Sequence, residues 1–219
     1  MKKKWLIQQT RAKSCLLFFN GWGMDEKAIS HLGAYELDVC MFYEYAHLNG
    51  EGNDFRHYRN IYVVAWSLGV WVASKMIPAM RLRPEMSIAI NGTLDPVNDQ
   101  FGIPEAVFCQ TLSFWDEKLR EKFNRRMFGG MKALQSGRVY LPTRTPENQR
   151  DELAFLKDKI DRNKTAEMFF DKAIIGARDL IFPSENQMHF WRNKVSVIQK
   201  DYPHFPFANL SSWNEIIAF

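Results

Sequence analysis

The feature that most constrains this chain is a series of short, continuous apolar runs, rich in β-branched and aromatic residues, that alternate with helical patterns. Cys15-Leu-Leu-Phe-Phe19 and Ile61-Tyr-Val-Val-Ala65 are hydrophobic without polar alternation. Such runs mark strands buried on both faces, the situation of a parallel sheet covered by helices on each side. Strands are expected over residues 14–19, 38–43, 61–66, 86–91, 172–176 and 194–199, with a weaker one at 4–9. Helices are expected over 25–32, 68–80, 185–191 and 210–217. The fold class that follows is α/β, with a mainly parallel sheet flanked by helices. Between residues 98 and 167 the alternation stops, amphipathic helical patterns replace it, and Gly129-Gly130, Ser136-Gly137 and Pro142 punctuate them. We read a small helical insertion at about 98–167 within one domain spanning 1–219, without internal repeats.

Composition narrows the functional classes. A chain of 219 residues, 46% hydrophobic and 25% charged, with a net charge of +4, is neither disordered nor collagen-like. No apolar run approaches the roughly 18 residues needed to cross a bilayer. Lys2, Lys3 and Lys4 precede an apolar stretch of only Trp5 to Ile7, too short for a signal peptide. A cytoplasmic location without a membrane partner is the expectation. Cys15, Cys40 and Cys109 are odd in number and lack C-x-x-C spacing, so they suggest neither a disulfide framework nor a zinc site.

The sharpest local motif is Val63-Val-Ala-Trp-Ser67-Leu-Gly69, a buried-strand pattern that runs into Ser67 and then directly into a helix. A nucleophile elbow needs this context, because the tight turn lifts the hydroxyl off the sheet and the helix N-terminus offers an N–H to a developing oxyanion. The usual first glycine is Ala65 here, which is still small. The competing reading, that Ser67 simply caps the helix, is about equally common at such junctions. Asn20-Gly-Trp22-Gly-Met24-Asp25 follows an early strand, where hydrolases of this kind place a second oxyanion donor. The backbone N–H groups of Trp22 and Leu68 are the candidate pair, and Asp25 also suits a helix N-cap. Trp22, Trp66 and Leu68 could line a narrow apolar slot, although core packing is the commoner role for each.

Asp179, in the loop after the strand at 172–176, suits the acid that orients a histidine, while a turn residue is its ordinary reading. Asp95 is the runner-up. Five histidines compete for the base. His204 lies beyond the last strand between Pro203 and Phe205-Pro206, and the order Ser67, Asp179, His204 matches that of α/β-hydrolases. His31 ends an expected helix, where it suits the C-terminal dipole. His47 and His57 read as solvated, and His189 as a surface or packing residue of a helix.

Asn20-Gly-Trp-Gly-Met24, Ala65-Trp-Ser-Leu-Gly69, Gly176-Ala-Arg-Asp179 followed by Asn186-Gln187 and Trp191, and Pro203-His-Phe-Pro206 together resemble the BioG-type pimeloyl-acyl-carrier-protein methyl ester esterases. The resemblance covers both ends of the chain and the hydrolase core. The more distant BioH-type esterases carry histidine in place of Asn20 and glycine in place of Ala65. The resemblance implies a compact α/β-hydrolase fold with a helical cap, a Ser67, His204 and Asp179 triad, hydrolysis of a methyl ester in biotin synthesis, and docking of acyl carrier protein. It implies neither a metal nor an organic cofactor.

From 117 to 145 the chain carries Lys118, Arg120, Lys122, Arg125, Arg126, Lys132, Arg138 and Arg144 against Glu117 and Glu121, a net +6 that exceeds the whole-chain +4. Most such runs are solvated helical faces. Lys122, Arg125, Arg126 and Arg138 are nonetheless candidates to meet an acidic carrier, with Trp66 on the substrate side. Nucleic acid is disfavoured because no recognised binding motif accompanies the charge. A thioesterase or general short-chain esterase with the same triad is the alternative reaction, and a non-catalytic carrier-binding module is the alternative of another class.

Overall fold

A computed structural model describes residues 1–9, 12–50, 52–163 and 167–219. Seven strands form one sheet: β1 (Lys2–Ile7), β2 (Ser14–Phe19), β3 (Leu37–Tyr43), β4 (Asn60–Trp66), β5 (Met86–Ile90), β6 (Lys172–Gly176) and β7 (Ser196–Lys200). Their spatial order is β1-β3-β2-β4-β5-β6-β7. Only β1 runs antiparallel, against β3, and every other pairing is parallel. The continuous apolar runs of β2 and β4 occupy the centre, where Leu16, Leu17, Phe18, Val63 and Val64 are wholly buried. Unlike the alternating pattern of a one-sided sheet, both faces of these strands are covered.

The helices are α1 (Leu68–Ala79), α2 (Glu105–Ser113), α3 (Glu117–Met127), α4 (Met131–Gly137), α5 (Pro146–Arg162), α6 (Ser184–Trp191) and α7 (Trp213–Ala218). Helices α2 to α5 fill the connection between β5 and β6, the region read as an insertion. Residues 164–166 of that region lie outside the described ones. α3 and α5 begin at side-chain caps, Asp116 accepting from Leu119 N–H and Thr145 from Asn148 N–H.

The strand expected at 4–9 lies at Lys2–Ile7, where it pairs with β3, the one expected at 194–199 lies at Ser196–Lys200, and two further elements depart more. Residues 25–32 do not form an α-helix: Asp25 caps a single 3₁₀ turn, Glu26–Ala28, through Lys27 N–H. The stretch is too short to offset the cost of helix nucleation unaided. Its ends are instead tied to distant chain, Asp25 Oδ2 to Thr143 and Gly33 to the backbone of Ser211 and Trp213. The last helix starts at Trp213 and not at 210, because Ser212 is the residue that caps it, through Glu215 N–H.

The chain leaves β2 toward β3 on one side and later places β4 on the other, so a topological switch point lies between β2 and β4. In open parallel sheets, the crevice beyond the carboxyl ends of such strands is where ligands bind. The register sets Phe19 beside Ala65 and Trp66 beside Ile90. The loops that leave β2, β4 and β5 therefore emerge next to one another.

Candidate active site

The loops after β4, β6 and β7 bring Ser67, Asp179 and His204 into one hydrogen-bonded chain. His204 Nε2 lies 3.0 Å from Ser67 Oγ, and His204 Nδ1 lies 2.8 Å from Asp179 Oδ2. Their exposures are 6%, 6% and 1% for Ser67, Asp179 and His204, so water competes little for these bonds.

Ser67 has φ 58° and ψ −130°, a region that a non-glycine residue occupies only when its surroundings enforce it. Its N–H donates to Ile90 O in the neighbouring strand, and α1 starts at the next residue. Its hydroxyl makes no capping bond to α1 and is directed to His204 instead. A Cβ on Gly69 would lie 2.3 Å from Phe19 O, so only glycine lets the first turn of α1 sit against the end of β2.

Asp179 is fixed as an acceptor from several directions. Its Oδ1 takes the N–H groups of Ile181 and Phe182, both at 2.8 Å, and its Oδ2 takes Gln187 Nε2 at 3.0 Å beside the imidazole. The His204 loop is pinned through its own carbonyl, which accepts Trp66 Nε1 at 2.8 Å and Asn91 Nδ2 at 2.9 Å. Asn91 also donates to Pro203 O and accepts Gly176 N–H, so one side chain joins the ends of β5, β6 and the loop after β7. Arg178 bridges the same loops from outside, bonding both the carboxylate and the carbonyl of Asp201.

The runner-up acid, Asp95, accepts from Asn98 Nδ2 at 2.7 Å and lines a separate polar groove with Asn98, Asp99 and Asn163. The other histidines are elsewhere. His31 ends no α-helix, since none forms there, and its Nε2 lies 2.9 Å from Phe207 O with its ring on Tyr140. His47, His57 and His189 are exposed.

Trp22 sits in a tight turn closed by a bond from Met24 N–H to Gly21 O. Among the described residues, no acceptor takes the N–H of Trp22 or that of Leu68. The Leu68 N–H belongs to the first turn of α1, where backbone donors lack partners within the helix. Both residues line a slot with Ser67 and His204, whose other walls include Ile103, Val107, Phe123 and Leu153. The slot has a cavity volume of about 40 Å³. It is narrow and largely apolar. The Trp22 indole packs at a tilt against that of Trp115, with the ring centroids 4.5 Å apart.

Trp66 combines two roles, one wall of the slot and the anchor of the His204 carbonyl. Lys122 and Arg125 are exposed on α3. Arg126 reaches back to Leu180 O and lines the slot, so it is not a purely outward charge. Arg138 pairs with Glu121 at 2.6 Å. Arg144, counted in the basic segment, is buried and paired at 2.7 Å with Glu152, so it adds nothing to the surface charge. Burial pushes the Glu152 carboxyl above its ordinary value, against the pull of Arg144.

Asn91 and Glu152 escaped the sequence reading, and Gln187 entered it only as part of the family resemblance, without a role of its own. A polar residue ending an apolar strand is the signal that could have found Asn91. Glu152 sits in a helix crowded with charges, and nothing local distinguishes it from the solvated ones.

A family model described as pimeloyl-ACP methyl esterase BioG matches residues 1–216. A Bacteroides fragilis protein named malonyl-acyl-carrier-protein O-methyltransferase is 40% identical over 194 residues, which are 88% of this chain and 40% of that protein. The chain thus spans less than half the length of that relative. The crystal structure of BioG from Haemophilus influenzae superposes with a TM-score of 0.91 at 32% identity, covering 98% of this chain and 99% of that one. A lipase-esterase related protein from Clostridium acetobutylicum gives a TM-score of 0.64 at 15% identity over 93% and 92% of the two chains, a likeness of fold.

Proposed function

The chain belongs to the BioG family, and on that premise we propose that it is a serine carboxylesterase that hydrolyses pimeloyl-acyl-carrier-protein methyl ester to pimeloyl-acyl-carrier protein and methanol in biotin synthesis. The observation that carries this reading is the hydrogen-bonded order Asp179, His204, Ser67, with Ser67 held at positive φ at the head of α1. The α/β-hydrolase fold alone would not choose a reaction.

In this reading His204 Nε2 takes the Ser67 proton as Oγ attacks the ester carbonyl carbon, and the carbonyl π pair moves onto oxygen. The N–H groups of Trp22 and Leu68 receive that oxyanion. Collapse of the tetrahedral adduct breaks the bond to the methoxy oxygen, which leaves as methanol with the proton from His204. Water then attacks the acyl-enzyme by the same route, giving a free carboxylate and restoring Ser67. Asp179 keeps the imidazole in the tautomer with its proton on Nδ1.

The apolar slot suits a methylene chain. The name of the Bacteroides fragilis relative describes methylation of a carrier-bound malonyl group. A carrier-bound methyl ester is the product of such a reaction and the substrate class proposed here. Acyl carrier protein is then the partner, meeting the exposed cations of α3.

Substitution of Ser67 by Ala should lower ester hydrolysis by roughly 10⁴-fold or more, with carrier binding retained. Mass spectrometry of the carrier separates the alternatives. Loss of the methyl group with the acyl chain still attached supports the esterase, whereas release of the free acid supports a thioesterase. An S67A variant that hydrolyses at the wild-type rate removes Ser67 from the mechanism.

A further inference from the structure

The turn that carries Trp22 is held from outside the sheet. Gly23 N–H donates to Glu152 Oε2 at 3.0 Å, and the same carboxylate accepts Tyr45 N–H at 2.7 Å on Oε1. Gln149 Nε2 donates to Gly23 O at 2.9 Å, and the Gln149 carbonyl accepts Trp22 Nε1 at 2.6 Å. Positions 149 and 152 lie three apart on α5 and therefore share one face of it. That face takes both backbone polar groups of Gly23 and the indole of Trp22. Gly23 has φ 73°, and a Cβ there would lie 3.0 Å from Gln149 Nε2, so the turn and the helix face are fitted closely.

Glu152 is 2% exposed. Burying a carboxylate with its Arg144 partner carries a desolvation cost that a packed apolar pair would avoid, so stability alone does not explain it. What a carboxylate adds is a fixed, strong acceptor at one point. Here that point faces the peptide immediately after Trp22. With that peptide plane, the Gly23 carbonyl and the Trp22 indole all held, little rotation remains about the Trp22 backbone bonds.

We propose that Glu152, held by Arg144, is a positioning residue for the oxyanion site: it fixes the peptide after Trp22, so that the Trp22 N–H faces the reacting carbonyl. This assignment rests on the hydrolase reading above. Glu152 never meets substrate. It sets the aim of a donor whose value depends on alignment to a fraction of an ångström.

The test uses the whole protein with p-nitrophenyl butyrate as substrate and a trifluoromethyl ketone that forms a tetrahedral adduct with Ser67. Glu152→Gln should lower kcat by about 10- to 100-fold with KM nearly unchanged. Affinity for the ketone should fall in parallel with kcat/KM. A purely structural role would lower the melting temperature without that matched loss. A folded E152Q protein with undiminished kcat and ketone affinity overturns the proposal, as does a loss confined to KM. If E152Q does not fold, Glu152→Asp keeps the charge beside Arg144 and withdraws the carboxylate from Gly23. It carries the same expectation, and a fully active E152D protein overturns the proposal equally. Fluorophosphonate labelling of the wild-type protein separates the two levels. No labelling at Ser67 and no ester hydrolysis would sink the hydrolase reading, whereas a labelled wild type with a fully active Glu152 variant sinks only the Glu152 assignment.

Discussion

A carboxylate beside a histidine is useful only if it cannot turn away. Asp179 meets that condition, because Ile181, Phe182 and Gln187 hold its two oxygens while His204 occupies the remaining direction. Asp179→Asn preserves the size of the side chain but puts an amide where the imidazole needs an acceptor. It should lower kcat by roughly 10⁴-fold with little change in KM. Asp95→Asn, by contrast, should leave kcat within about twofold, since its carboxylate bonds Asn98 in another groove. Steady-state kinetics of both variants checks the pair, and equal losses would return Asp95 to the mechanism. Sequence order alone favoured Asp179 without deciding between them. The turn at Ser67 was easier to read, because a strand-turn-helix context is local in the sequence. Asn91 acts on residues far away in the chain, and such partners leave no local pattern, whereas Gln187 meets Asp179 across a loop whose course the sequence does not display.

Among the elements, α3 separates two kinds of charge that look alike in the sequence. Arg120 pairs with Glu117 at 3.3 Å and donates to Arg144 O, and Arg138 pairs with Glu121. Among the described residues, Lys122 and Arg125 have no ion pair and face outward. Lys122→Glu with Arg125→Glu should raise KM for a carrier-bound ester by roughly an order of magnitude at low salt and leave KM for p-nitrophenyl butyrate unchanged. The difference should shrink as salt is added. Equal effects on both substrates would remove α3 from carrier docking. Arg126 is left out of this pair because it also forms part of the slot. The helical character of α2 to α5 was visible in their periodicity. The 3₁₀ turn at Glu26–Ala28 was not, because the contacts that replace a helix there come from Thr143 and Ser211, more than a hundred residues away.

For the molecule as a whole, the parallel sheet was legible because strands buried on both faces must be continuously apolar, and that pattern survives in the sequence. Strand order was not legible, since it depends on which loops cross. The central position of β2 and its neighbour β3 can be read out chemically. Burial pushes the Cys40 thiol up to about 12 and raises that of Cys15 as well, whereas Cys109 is exposed on α2. At pH 8 a thiol-specific chromogenic disulfide should modify Cys109 alone in the native protein and all three cysteines in denaturant. Modification of Cys15 and Cys40 should proceed only as fast as the sheet opens. Rapid reaction of all three thiols in the native state would contradict a closed core.

The placement of the parts in the sheet has a further meaning for assembly. Ser67 follows β4, a central strand whose neighbours β2 and β5 lie close to it in sequence, while His204 follows β7, a strand at the edge of the sheet and well over a hundred residues further on. A core formed only as far as β5 would hold the Ser67 turn without its imidazole. On the proposed mechanism the reactive centre would be completed by the docking of an edge strand, and a core that lacked β7 would be chemically silent however well it had formed.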